Sequence, residues 1–275
     1  MMRMRSLPVN LLLGGALVAG LTAAALLSLV WTPHPFAVID VANRFQGPSA
    51  EHWLGTDQLG RDVVSQLMAG ARTSVAIAFV AVVLGGSIGT ALGLFASAVG
   101  GIVEDAVMRL ADFSFAFPAL LFAIMLAAVF GPSLANAIFA IAFINIPVFA
   151  RVARAAANQV WTREFTLAAR IAGRSGFSIT VDHILPNVAA AVIVQATIEF
   201  AVAILAEAAL SYLGLGVQPP AASWGRMLSE AQTLLYLAPQ LAIYPGLCIV
   251  AAVLGFNLLG DGLRDVTDPR LSRRQ

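Results

Sequence analysis

The 275-residue chain is 59% hydrophobic and 11% charged, with a mean hydropathy of +0.86 and a formal net charge of +1. A soluble domain carries about 25% charged residues, so this composition predicts an integral membrane protein. A net charge near zero gives no electrostatic basis for nucleic-acid binding. The chain contains no lysine, which excludes a P-loop or catalytic lysine, and its single cysteine, Cys248, excludes an intrachain disulfide.

Six stretches are long and apolar enough to cross the ~30 Å hydrocarbon core of a bilayer as helices. The first follows a short arginine-containing N-terminus and is too long for the apolar core of a signal peptide, so we expect it to remain as a membrane helix. The third and fourth stretches contain Pro118 and Pro147, which membrane helices can tolerate. The predicted fold class is an all-α integral membrane protein with six transmembrane helices, at about residues 9–31, 73–98, 108–130, 134–153, 188–212 and 240–260.

Arginine is distributed unevenly between the two sides that six crossings define. With the N-terminus in the cytoplasm, the inner side holds Arg3, Arg5, Arg109, Arg151, Arg154, Arg163, Arg170, Arg174, Arg264, Arg270, Arg273 and Arg274. The outer side then holds Arg44, Arg61, Arg72 and Arg226. Because inner loops of membrane proteins are enriched in arginine, this bias predicts a multi-pass protein with both termini in the cytoplasm.

The second stretch contains Gly85-Gly86-Ser87-Ile88-Gly89, which matches the G-x-S-x-G pattern of a hydrolase nucleophile elbow. Such an elbow needs a strand-to-helix turn with histidine and aspartate partners, and none of the three histidines falls inside a predicted span. Small residues that recur every four positions instead favour close helix packing over an intramembrane serine protease. These residues are Ala81, Gly85, Gly89, Gly93 and Ser97. The histidines are also far apart in sequence, so no metal site is predicted.

The fifth stretch contains three polar residues, Gln195, Glu199 and Glu207. Carboxylates inside a membrane are costly, so they should face a partner helix or an aqueous path. They are candidate residues of a translocation pathway, and the alternative is a structural hydrogen bond to another helix or subunit. Both interpretations stay open for Glu199, whereas a structural role is favoured for Glu207. An ion-coupled secondary transporter could use Glu199 as a proton carrier, but the inverted repeats typical of that class are not found.

Between the fourth and fifth stretches lies a polar, arginine-rich segment, residues 154–187, which we call the island. Thr162 is expected to cap a short helix whose first turn holds Glu164. Gly173 or Gly176 should end that helix through a left-handed backbone conformation. Three residues are predicted to form one apolar ridge on it: Leu167, Ala168 and Ile171.

Four segments of the chain carry a family resemblance. In the island, Ala168-Ala169, Gly173 and His183-Ile184-Leu185-Pro186 have the spacing of the motif EAA-x3-G-x9-I-x-L-P. The other segments are His52–Asp62, Leu210–Pro220 with Ser223-Trp224-Gly225, and Leu259–Arg270. In this order, over about residues 50–271, they resemble the inner-membrane permeases of peptide- and nickel-type ABC importers.

The resemblance implies that Glu164–Ser175 is a coupling helix that sits in a groove of an ATPase subunit. Leu167 stands where the motif has glutamate and His183 where it has isoleucine, so no carboxylate contact is expected at position 167. The implied docking residues are Arg163, Glu164, Ala168, Ala169, Arg170, Gly173 and Pro186.

The resemblance also implies the fold of a type I importer permease in a bacterial inner membrane, surrounded by lipid. Its partners would be a homologous second permease, two cytoplasmic ATPases and an extracytoplasmic solute-binding protein. ATP and magnesium would be bound by the ATPases, with no catalytic residue, cofactor or metal in this chain. The expected cargo is a peptide, with nickel or another small solute as the alternative. Residues 1–72 would hold the N-terminal tail, first membrane helix and external loop, and residues 73–275 the permease domain with its docking loop at 154–187.

Overall fold

A computed structural model describes residues 8–267 of the chain. Within that range the regular secondary structure is helical, apart from an isolated β-bridge between Thr56 and Asp62. A π-helical turn, Thr180–Ile184, joins two of the helices. The α-helices are α1 (Val9–Leu27), α2 (Val63–Val99), α3 (Gly101–Ala116), α4 (Ala119–Phe130), α5 (Leu134–Trp161), α6 (Glu164–Ile171), α7 (Gly176–Ile179), α8 (Leu185–Tyr212), α9 (Trp224–Ala231) and α10 (Gln240–Thr267).

Within residues 8–267, five helical segments are long and apolar enough to cross a membrane, and they are α1, α2, α5, α10 and the continuous span Gly176–Tyr212. A sixth crossing exists only if α3 and α4, which are bent by 80° relative to each other, count as one span. The prediction of a continuous helix over 108–130 is therefore wrong. Phe117 is extended (φ −87°, ψ 118°) because the following proline disfavours the helical conformation, and Pro118 itself has no N–H to continue the ladder.

The helices extend beyond the predicted spans at several ends. Asp62 caps α2 by accepting a hydrogen bond from the Ser65 backbone N–H (2.8 Å). The helix therefore begins well before residue 73, and the predicted boundary between residues 72 and 73 lies inside it. Likewise α5 runs into the island as far as Trp161, α6 follows at Glu164–Ile171, and α7 begins at Gly176. Much of the island is consequently helix rather than loop.

The stripe of small residues on α2 packs against α5. A Cβ atom added to Gly85, Gly89 or Gly93 would lie 2.5, 2.3 or 2.3 Å from a backbone carbonyl oxygen of α5. These distances leave room for hydrogen alone, so the prediction of close helix packing is confirmed. Ser87 is exposed in the middle of the same helix and lies in no strand-to-helix turn, which argues against the nucleophile elbow.

A second close seam joins α1 to α10. A Cβ atom at Gly14 would lie 2.3 Å from the Leu259 backbone nitrogen, and one at Gly262 would lie 2.5 Å from the Leu11 backbone. Helix α8 packs on α2, α5 and α10. The core between these helices contains fully buried large side chains, including Ile77, Phe149 and Ile204.

Two loop segments, residues 28–62 and 213–239, form what we call the loop cap. Because α8 runs from the island to residue 212, the loop cap and the island lie at opposite ends of the helix bundle. Trp224 anchors the cap: its side chain is buried, and its Nε1–H donates to the Leu67 carbonyl oxygen (3.1 Å).

Candidate functional site

Helix α6 is held against the end of α5 by one buried side chain. Thr166 is 1% exposed, and its hydroxyl donates to the Val160 carbonyl oxygen (2.9 Å). The predicted cap is wrong: Arg163 occupies the N-cap position without a side-chain bond. Thr162 does not act as the N-cap of α6 because its hydroxyl donates to the Gln159 carbonyl oxygen (2.9 Å) in the last turn of α5.

The predicted end of α6 at Gly173 is confirmed. Gly173 has φ +78°, and its N–H donates to the Arg170 carbonyl oxygen (3.1 Å). The next N–H, of Arg174, donates to the Ala169 carbonyl oxygen (3.2 Å). This pair of bonds is the Schellman motif, in which a glycine in the left-handed region reverses the chain after a helix. The chain then enters α7, which Ser175 caps through a hydrogen bond from the Ser178 N–H.

The outward face of α6 and α7 is apolar and exposed, as the predicted ridge requires. Leu167 is 46% exposed and Ile171 88% exposed, and Ala168 is exposed between them. Phe177 on α7 extends the same end of the molecule and is 80% exposed. Large exposed apolar side chains at a helix face mark interaction surfaces. We call Leu167, Ala168, Ile171 and Phe177 the docking face.

The other predicted docking residues are divided between this face and the interior. Ala169 is half-buried and packs on a small core cluster built from α2, α5, α8 and the π-helical turn. The charged residues among them are exposed: Arg163, Glu164 and Arg170. Ala168 and Ala169 therefore have different roles, because Ala168 faces outward and Ala169 fixes α6 to the bundle.

Pro186 lies in the first turn of α8, directly after the π-helical turn. A proline inside a helix removes one hydrogen bond, and its ring clashes with the carbonyl of the residue four positions earlier. The wider π-helical turn relieves that crowding, so the helix continues through Pro186 rather than breaking. As a result α7, the turn and α8 form one span, Gly176–Tyr212, that begins beside the docking face.

Two of the candidate pathway residues form a pair on α8. Gln195 donates from Nε2 to Glu199 Oε1 (2.8 Å), and Glu199 is 6% exposed. A cavity of about 820 Å³ opens at the island end, and its wall includes Gln195, Arg163 and Arg264 but not Glu199. Gln195 thus faces the cavity, while Glu199 is buried and accepts a hydrogen bond from Gln195.

Glu207 is fully buried near the loop cap and serves as an acceptor for hydroxyl groups. Ser74 Oγ on α2 donates to its Oε2 (2.7 Å), and Ser211 Oγ donates to its Oε1 (2.7 Å). The Trp224 N–H also lies 3.4 Å from Ser74 Oγ, which connects the pair to α9. Glu207 therefore joins α2, α8 and α9, as the favoured structural role predicts.

The loop cap contains a cluster that the sequence did not reveal. The rings of His34 and His52 lie 4.5 Å apart, and His52 Nδ1 is 3.0 Å from Asp62 Oδ1. One ligand-type atom from each of these three side chains lies within 4.8 Å of the others. The path of the loop brings His34 and His52 together. Because they are 18 residues apart in the sequence, no pattern indicated this contact.

A second network ties the two halves of the loop cap to each other. Arg61 Nη2 lies 2.6 Å from Asp57 Oδ2 and 2.5 Å from Glu230 Oε2 on α9. Burial lowers the pKa of Arg61, but the facing carboxylates outweigh burial and raise the pKa above its ordinary value. The guanidinium therefore stays charged and holds residues 57–61 to α9.

The model of the family described as "binding-protein-dependent transport system inner membrane component" matches residues 89–273. The chain belongs to this family. It is 42% identical over 260 residues to the dipeptide transport system permease protein of Alkalihalophilus pseudofirmus, which covers 94% of this chain and 86% of that one. It is also 40% identical over 264 residues to the glutathione transport system permease protein of Pectobacterium atrosepticum, which covers 93% and 87% of the two chains.

The permease also shares its fold with a solved structure, the inward-facing MetNI methionine ABC transporter. The TM-score is 0.62 with 21% identity, over 74% of this chain and 97% of that one. The expected ABC importer permease architecture is thus confirmed, and the chain is a multi-pass membrane protein. The matched region of the permease contains the docking face and all of α8, whereas the His34–His52 pair and Arg61 precede it.

Proposed function

We propose that this permease forms half of a translocation pathway for peptides in an ATP-driven importer. The other half would be a homologous second permease. Two ATPases would dock on the island, and a solute-binding protein would deliver cargo at the loop cap. ATP and magnesium would be bound by the ATPases, so this chain would contribute coupling and passage but no catalysis. The observation that carries the proposal is the exposed docking face on α6 and α7, because α7 continues through the π-helical turn into α8.

The proposed orientation puts the island and both termini in the cytoplasm. Its support is the excess of arginine on the island side of the helices, which is typical of cytoplasmic segments. The nucleotide is in that compartment, so the docking face would meet the ATPases there. Peptide is the proposed cargo because the relatives described above are named for dipeptide and glutathione transport.

The proposed mechanism is alternating access. ATP binding would close the two ATPases, and α6 would move with them because its docking face contacts them. Thr166 and Ala169, which fix α6 to the bundle, would pass the movement on. That movement would pass through α7 and the π-helical turn into α8, and would open the pathway toward the loop cap. Such coupling requires that each partner contact the two states differently.

The experiment that tests this proposal is co-expression of the chain with its permease and ATPase partners, followed by recovery of the complex. Ile171→Glu and Ala168→Arg place charge on the docking face without disturbing buried contacts. We expect at least about tenfold weaker ATPase recovery, the loss that truncating one central interface side chain causes, or ATP hydrolysis uncoupled from peptide uptake. Ile39→Glu changes another exposed isoleucine (59% exposed, against 88% for Ile171) in the loop cap and should leave ATPase recovery unchanged.

Normal recovery and normal coupling in both docking-face variants would contradict the proposal. Substitutions at Ala169 or Gly173 are less suitable tests. A larger side chain at Ala169 would meet the core cluster, and one at Gly173 would be strained at φ +78°. Either would weaken docking for reasons unrelated to the interface.

A further inference from the structure

Two cavities share a wall at the island end of the molecule, on the outside of α2. One, of about 480 Å³, is lined by polar and charged groups that include Arg170, Arg174 and Trp161. The other, of about 420 Å³, is lined by apolar side chains of α2 and α7 and by the first residue of α8. Ala98, Val99 and Gly176 belong to both linings, so the two spaces adjoin each other. A charged pocket thus lies beside an apolar groove.

The pocket carries positive charge. Within residues 8–267, Arg170 forms no ion pair, and Arg174 forms one, with Asp182 (3.0 Å). Arg174 also lies 3.3 Å from His183 Nε2. Asp182 itself is not part of the pocket lining. Two arginines thus line the pocket against one carboxylate beside it, which leaves a net cationic site for an anion with several acceptor oxygens.

Trp161 supplies an unused donor in the same pocket. Its Nε1 is buried and has no hydrogen-bond partner among the described residues. A buried N–H without an acceptor is costly, and the large majority of such groups in proteins are satisfied. Because Nε1 has no exposed surface, a ligand oxygen in the pocket would reach it only after a rotation of the indole ring. Tryptophan is also the side chain most typical of the membrane interface, where an apolar ring and a polar N–H suit the boundary between headgroups and acyl chains.

The groove beside the pocket has the character of a site for a hydrocarbon chain. Phe95 and Val99 on α2 are each 54% exposed, and Phe177 of the docking face, which also lines this groove, is 80% exposed. The groove follows the last turns of α2, a helix that spans the membrane. An occupant with a charged group in the pocket and an apolar tail along α2 would therefore lie parallel to the surrounding lipid chains.

We infer that this pocket and groove bind an anionic phospholipid. Its phosphate would accept hydrogen bonds from Arg170 and Arg174 beside the Trp161 ring, and one acyl chain would occupy the groove between α2 and α7. Basic pockets between helices on the cytoplasmic side are a recurrent mode of binding such headgroups. The inference rests on the proposed function in one respect, since it takes the island to be cytoplasmic. The bound lipid would bridge α2 and the docking segment, and so would brace α6 and α7 at the membrane surface.

The test uses the complete complex, purified with its partner subunits, in nanodiscs that contain either brominated phosphatidylglycerol or brominated phosphatidylcholine. Bromine quenches the fluorescence of nearby tryptophan, and Trp161 is the reporter, assigned by the signal lost in Trp161→Phe. We expect quenching by phosphatidylglycerol at low mole fraction and little by phosphatidylcholine. The double variant R170Q/R174Q should reduce the preference for phosphatidylglycerol over phosphatidylcholine about 20- to 30-fold, because each surface arginine contributes a factor of about five. R170K/R174K should retain most of it, and Arg109→Gln, an exposed arginine at the same end, should retain all of it.

Three results would overturn the inference. Equal quenching by the two lipids would show no anionic selectivity, and displacement of phosphatidylglycerol by millimolar inorganic phosphate would identify a free-anion site. Selective quenching that is present in the isolated permease pair but absent from the complete complex would show that a partner subunit covers the pocket. Because the nanodisc presents lipid on both leaflets, these results do not depend on orientation. A failed docking experiment and a failed lipid experiment are thus distinguishable.

Discussion

Adding one methyl group at Gly89 should separate α2 from α5. The new Cβ would lie 2.3 Å from the Ile146 carbonyl oxygen and 2.8 Å from Phe149 Cβ, whereas ordinary contacts begin near 3.4 Å. The helices would have to part by about 1 Å, and a gap of that size loses a quarter to a half of the dispersion energy of the contacts it opens. Overpacking of this kind costs about 1–3 kcal/mol. For a chain of this size, that corresponds to a fall of roughly 3–10 °C in melting temperature.

The assay is thermal melting of the purified complex at one fixed scan rate, with Gly89→Ala compared to wild type. Gly20→Ala and Gly246→Ala are matched controls because a Cβ atom at either position meets no atom of the described residues within 4 Å. The controls should melt at or slightly above the wild-type temperature, since alanine favours helix over glycine. A Gly89→Ala protein as stable as the controls would refute the argument that the α2–α5 seam requires glycine.

Two further predictions concern the polar networks. Glu207→Ala removes the acceptor of the Ser74 and Ser211 hydroxyls and should lower the melting temperature of the complex, because each unsatisfied buried hydroxyl costs about 1–3 kcal/mol. Glu207→Gln keeps one acceptor oxygen and should lower the melting temperature less. Normal melting of both variants with lost transport would instead support a pathway role. Arg61→Met leaves the Asp57 and Glu230 carboxylates facing each other and should make the loop cap more sensitive to limited proteolysis, and unchanged cleavage would show that the network does not hold the cap.

Features that depend on local chemistry could be predicted from the sequence. The recurrence of small residues on α2 identified a packing face because membrane helices approach closely only where side chains are small. Gly173 could be recognised as a helix end because few other residues adopt its backbone conformation. The apolar ridge of α6 followed from helical spacing alone. The family of the chain was likewise evident from the island and three other segments.

Features that depend on the path of the chain could not be predicted from the sequence. Pro118 was visible, but a proline inside an apolar stretch is compatible with a continuous helix, and the surrounding helices decide whether the chain bends. Thr162 satisfies the capping preference, yet α5 extends far enough for its hydroxyl to bond within that helix. The contact of His34 with His52 depends on a loop whose course leaves no periodic pattern. Ala168 and Ala169 are identical in chemistry, and tertiary packing alone distinguishes them.

The uninterrupted course of α7, the π-helical turn and α8 has a mechanical consequence. The span contains 37 residues, and at a rise of about 1.5 Å per residue it is about 55 Å long, well beyond the ~30 Å hydrocarbon core. A rigid rod of that length that pivots by about 10° at its island end carries its other end sideways by about 10 Å. A modest shift where α6 meets its partner would thus be amplified at the far side of the bilayer, near Glu207. The stiffness of the π-helical turn, more than the strength of docking, would then determine how much of each movement of α6 reaches the loop cap.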